Sequence, residues 1–196
     1  MAFPRFPVTA AVLLSLVTAL PQPAAAQASR EGPTFAASGA WPGNALRRPD
    51  VAFDPANGVY LVVSAPMTHG RFVNSDGVPI GSDFYIPAGG TYNQTPRVAY
   101  SPNLGGFLVT WLDTRLDPRG QAASVWGRLV QFGTGGAPVF PTGDFLIGAA
   151  VPSVDPERGA SVAYSTVSQR FLVVYHQYGG GAVPVKVVNP DGGSFT

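Results

Sequence analysis

Pro49-Asp50-Val51-Ala52-Phe53, Pro96-Arg97-Val98-Ala99-Tyr100 and Ala160-Ser161-Val162-Ala163-Tyr164 are three versions of one phrase. Each leads, through a short polar turn, into an aromatic residue and an aliphatic run: Tyr60-Leu61-Val62-Val63, Phe107-Leu108-Val109-Thr110 and Phe171-Leu172-Val173-Val174. A unit that recurs fixes an architecture before any single residue is interpreted. The run in the second strand is apolar at consecutive positions, and so on both faces of an extended chain, whereas a strand with one wet face alternates. Such a strand is expected between two neighbouring sheets.

Aligned on Val51, Val98 and Val162, the units are spaced by 47 and 64 residues, so the middle one carries an insertion. The likeness continues downstream. Gly70-Arg71-Phe72-Val73 matches Gly127-Arg128-Leu129-Val130 and, more loosely, Val185-Lys186-Val187-Val188. Asn74-Ser75-Asp76-Gly77 and Asn189-Pro190-Asp191-Gly192 supply tight-turn signals at one phase, because glycine accepts positive φ. Ser82-Asp83-Phe84-Tyr85-Ile86 and Gly143-Asp144-Phe145-Leu146-Ile147 read as a last strand. The expectation is an all-β fold, β-propeller-like, with about three four-stranded antiparallel blades at 49–95, 96–159 and 160–196. A β-sandwich is the alternative.

Thr34-Phe35-Ala36-Ala37 precedes Pro49 much as Asp83-Phe84-Tyr85-Ile86 precedes Pro96, which makes 33–38 a candidate closing strand for the last blade. Three blades are too few for a ring. Either a homodimer completes a six-bladed ring or the chain is a fragment of a larger protein. The pattern Pro-x-Val-Ala-Tyr, then Phe107-Leu108-Val109-Thr110-Trp111-Leu112-Asp113-Thr114-Arg115, then Gly-Arg-x-Val and a turn, resembles the propeller-type repeats of large secreted and surface bacterial proteins. The resemblance covers Pro33 to Thr196 and implies a binding or scaffolding module without a defined reaction.

The start of the chain reads differently. Arg5, an apolar stretch from Val8 to Leu20, prolines at 21 and 23, and Ala24-Ala25-Ala26 read as a secretory signal peptide over 1–26, leaving 27–196 as the repeat domain. The stretch is too short to span a bilayer, and nothing later approaches that length. Localisation is expected to be secreted, periplasmic or at the cell surface. Without cysteine the exported chain has no disulfides, and about 170 residues must hold together by core burial. Removing Arg5 from the 12 basic residues leaves 11 against 11 acidic ones, with Lys186 the single lysine. Such a balance argues against nucleic acid as a partner.

Chemistry is sparse. In a propeller the loops at one rim line the ligand face, and those after the second strands are the most varied. They supply Trp111, Asp113 and Arg115 from the middle unit, Tyr175, His176 and Tyr178 from the third, and Met67 and His69 from the first. Aromatic faces beside a planar hydrogen-bonding pair suit a glycan, so Trp111, Asp113, Arg115, Tyr175, His176 and Tyr178 are the candidate ligand-binding residues, with a surface glycan or protein as partner. The competing reading has Asp113 and Arg115 bonding each other and Trp111 as core. A glycoside hydrolase is the alternative function, and needs two carboxylates facing across a cleft. Its candidates are Asp113, Asp117, Asp155 and Glu157, none of which the sequence pairs. Two histidines in different units make no metal site, and no cofactor or metal motif is present.

Overall fold

The computed structural model describes residues 47–89, 94–117, 119, 122–152, 159–176 and 183–191. The signal-peptide segment, the candidate closing strand at 33–38, and Tyr178, Asp155 and Glu157 lie outside them. The described chain forms three antiparallel sheets. The first holds β1 (Arg47–Asp54), β2 (Val59–Ala65), β3 (His69–Asn74) and β4 (Pro79–Tyr85), in sequence order. The second holds β5 (Gln94–Ser101), β6 (Gly106–Asp113), β7 (Ala122–Phe132), β8 (Pro138–Val139) and β9 (Phe145–Pro152). The third holds β10 (Ala160–Ser165), β11 (Arg170–Tyr175) and β12 (Val185–Val188). Among the described residues no helix is long and apolar enough to cross a membrane.

The register places corresponding residues opposite one another in each sheet: Phe53 pairs Tyr60, Tyr100 pairs Phe107 and Tyr164 pairs Phe171. The first turns are also alike. Asp54 accepts from the amides of Ala56 and Asn57, Ser101 Oγ from Leu104 N, and Ser165 Oγ from Ser168 N. These are the Asx and Ser turns that such side chains form with the backbone two or three residues on.

Strand count differs from four per unit. In the first sheet β4 pairs both ends of β3 through an irregularity between Gly70 and Phe72. In the second, the chain between Gly133 and Asp144 turns out through a 3-10 turn, so β8 pairs one end of β7 and β9 the other. The counterpart of β4 is thus split into two edge strands. In the third sheet β12 is the last described strand.

Two glycines explain the Gly-Arg pairs. Gly70 lies opposite Phe84 and Gly127 opposite Phe145. A Cβ on Gly70 would sit 2.5 Å from the Phe84 ring, and one on Gly127 2.9 Å from the Phe145 ring. The ring covers the bare backbone, an arrangement only glycine permits. The arginine that follows meets the acid before that phenylalanine: Arg71 is 3.2 Å from Asp83 and Arg128 3.7 Å from Asp144.

The sheets stack face on face. Leu61, Val63, Phe72 and Ile86 of the first pack against Val98, Phe107, Val109, Trp111 and Val130 of the second. Leu108, Leu112, Leu129 and Ile147, on the opposite side of the second, pack against Phe171, Val173 and Val188 of the third. The consecutive apolar residues of β6 thus serve two interfaces in alternation, and all eight residues of that strand are buried. Burial of each such side chain contributes about 1.5–3 kcal/mol, so these two interfaces are the main stabilising feature. The first strands lie nearest one another, β5 between β1 and β10.

Candidate functional site

Arg47 pairs Ala65, Gln94 pairs Leu112 and Ala160 pairs Tyr175, so the chain leaves each second strand where the first strand begins. Strands β1 and β5 run in the same sense: Arg48 Nη1 donates to Gln94 Oε1 at 3.0 Å, and Val98 N donates to Asp50 Oδ2 at 2.9 Å. Gly159, before β10, lies against Thr95, where a Cβ would be 3.0 Å from the threonine Cβ. Strands β2, β6 and β11 therefore end at one end of the stack, which we call the rim.

The centre of the rim between the first two sheets is an ion-paired cluster. Asp113 is fully buried at the end of β6. Its Oδ1 accepts from Arg115 N at 2.7 Å, and its Oδ2 accepts from Arg115 Nε at 2.7 Å and Trp111 Nε1 at 3.3 Å. Arg115 also donates through Nη1 to Asp144 Oδ2 at 2.8 Å and through Nη2 to Gly89 O at 2.7 Å. Asp144 accepts from Ala88 N, and Arg128 donates to Ile86 O at 2.6 Å. The segment after β4 is thereby tied to the second sheet by charge-assisted bonds, the stronger kind. Each guanidinium also lies on an aromatic ring: Arg115 over Trp126 at 4.3 Å and Arg128 over Phe140 at 3.9 Å. Burial opposes the Arg115 charge, yet its bonds to Asp113 and Asp144 outweigh that and raise its pKa. For Arg128 burial wins over Asp144 and the pKa is lowered.

The structure brings Trp111, Asp113 and Arg115 together but sets the third-sheet residues apart. Trp111 is 0 % exposed, its ring within the interface of the first two sheets. Tyr175 holds the corresponding position in the next interface, packed on Gly148, where a Cβ would lie 2.6 Å from its ring. His176 is exposed one residue further on, and Met67 is exposed on the first loop. Asp117 accepts from the amides of Arg119 and Ala122 at 3.0 and 2.6 Å, folding its own loop. His69 is buried against Tyr85, ring centroids 4.7 Å apart, and its pKa is lowered chiefly by burial.

Asp144, Arg128 and Trp126 escaped the sequence reading of the rim. The signal was present in the paired Gly-Arg and Asp-Phe segments, which align between the first two units; what was missing was that the two segments face each other. A concavity of about 340 Å³ lies where Gly81 to Phe84 face Gly135 to Pro138. It is shaped by the close backbone approach of Gly81, φ +68°, to Gly136, φ +82°. Among the described residues no group of three or more His, Asp or Glu is placed to hold a metal ion.

The class defined by this geometry is an all-β stack of three antiparallel sheets with a polar, aromatic rim. Comparison with protein-family models, curated proteins and solved structures gave no match.

Proposed function

We propose that the chain is an exported, non-catalytic β-propeller-repeat protein that binds a surface glycan or protein partner at the rim following the second strands. The observation that carries this reading is the shared end of the stack: three second strands with chemically different continuations end there, in sheets whose first strands lie side by side. Inner first strands and face-to-face sheets are the arrangement of propeller blades. The bonding of the acids supports binding over hydrolysis. Asp113 and Asp117, two of the candidate catalytic carboxylates, are already engaged by arginine and backbone amides, whereas a glycosidase needs two acids free to face the scissile bond. Within the reading, Trp111 and Asp113 shape the rim from beneath. Arg115 and His176 supply its accessible polar surface and Tyr175 a half-buried aromatic one, while Tyr178 lies outside the described residues.

The test is a glycan array and a pull-down against the producing cell's own surface fraction. His176→Ala and Met67→Ala lie on exposed rim positions and should weaken capture of whatever the parent chain binds by tenfold or more. Val167→Ser, on a turn at the other end of the strands, should leave it unchanged. Binding insensitive to both rim changes and sensitive to Val167→Ser would move the site to the opposite end.

A further inference from the structure

Among the described residues the stacking leaves two faces without a partner, and each repeats a face that is covered elsewhere in the same chain. In the two internal interfaces the side bearing Leu61 or Leu108 packs on the side bearing Phe107 or Phe171. By the same alternation Leu172, Ala163, Val185 and Val187 form the first kind of face on the third sheet. Val51, Phe53, Tyr60 and Val62 form the second kind on the first sheet. Exposure follows this division. Val51 is 54 %, Phe53 39 %, Leu172 45 % and Val185 51 % exposed, while Val98 and Leu108, their counterparts in the middle sheet, are buried. Large apolar side chains gathered on one side of a sheet in this way mark an interaction surface.

We propose that the occupant is a second copy of this chain: the Leu172 face of each copy docks on the Val51 face of the other, so that two chains close into one ring of six sheets. The argument for this occupant is continuity with the internal interfaces, because each free face already meets its complement twice within the molecule. A contact between two different faces propagates unless its rotation closes. With three described sheets per chain, six is the one multiple of three within the four to eight blades of known rings. The proposal rests on the propeller reading for closure and goes beyond the binding role.

Correspondence also supplies the contact. Phe72 and Phe107 meet across the first interface with ring centroids 6.4 Å apart. Their counterparts on the free faces are Val187 and Tyr60, which should meet between copies. The chain has no cysteine, so thiols placed at these two positions have only each other to find. The full chain should run as a discrete dimer by light scattering. The doubly substituted Tyr60→Cys, Val187→Cys chain should give, on mild oxidation, a single non-reducible-by-dilution species of twice the chain mass, and Tyr60→Cys alone should give none. Leu172→Asp should yield monomer with an unchanged β-sheet circular-dichroism spectrum, and Val167→Asp, on an exposed turn, should stay dimeric. A monomer for the unsubstituted chain would overturn the proposal and assign the faces to further sheets of a longer polypeptide. A ladder of cross-linked species would overturn it by showing an open array. Both readouts are taken without ligand, so they fail independently of the glycan and pull-down result.

Discussion

Arg115 donates to Asp144, 29 residues further along the chain, at 2.8 Å, and that single contact joins the end of β6 to the start of β9. The two side chains are mostly buried, and Asp144 also receives the amide of Ala88, so the first sheet's exit segment depends on the same carboxylate. Asp144→Ala would leave Arg115 with one acid fewer and the Ala88 amide without its acceptor. Breaking a fully buried pair costs about 3–5 kcal/mol, and the partial exposure of Arg115 reduces this to roughly 2 kcal/mol. Urea unfolding should read a loss of that size. Arg115→Lys should lose a comparable amount, because an ammonium cannot serve Asp113, Asp144 and the Gly89 carbonyl together.

Thr110 interrupts an otherwise aliphatic series. It stands on the Leu108 face of β6, where the other second strands place Val63 and Val174. It is completely buried, and among the described residues its hydroxyl has no hydrogen-bond partner. A buried hydroxyl left without a partner costs about 1–3 kcal/mol. Thr110→Val keeps the shape and removes the polar atom, so it should raise stability by about 1 kcal/mol, seen as a higher urea midpoint with an unchanged slope. A loss of stability would mean that the hydroxyl is satisfied in solution.

These two cases show what the sequence could and could not disclose. Tyr60-Leu61-Val62-Val63 and its counterparts announced strands covered on both sides, and the structure meets this in full only for β6, which lies between two sheets, whereas β2 and β11 each bury one side against the middle sheet. The Phe84 and Phe145 segments were legible as edge strands, and the glycines beneath them explain why those rings sit where they do. The division of the middle edge into β8 and β9 was hidden, since an insertion's path depends on which end of β7 each half finds. In the sequence the rim is a row of residues after the second strands. Asp144 and Arg128, which hold it in place, come from other strands, and pairing across strands is set by register that spacing along the chain does not reveal. Loop phase groups Tyr175 with Trp111. That phase is shared, yet neighbouring sheets turn the two rings into different interfaces.

His69 gives the fold a dependence on pH. It is 3 % exposed, and burial lowers its pKa below the ordinary histidine value despite the opposing field of Asp83. As pH falls through about 6.5 the unfolded chain takes up a proton that folded His69 does not accept until lower pH. The folded state then binds fewer protons than the unfolded one, so the stability contributed by neutral His69 is complete above that pH and declines below it, towards the lowered folded-state pKa. His69→Phe keeps a ring against Tyr85 and cannot titrate. Urea midpoints measured between pH 7.5 and 5.5 should therefore fall for the parent chain and stay nearly level for His69→Phe, the two curves diverging towards acid. Parallel curves would place the titration on other groups and would mean that His69 is as free to protonate in the folded chain as in the unfolded one.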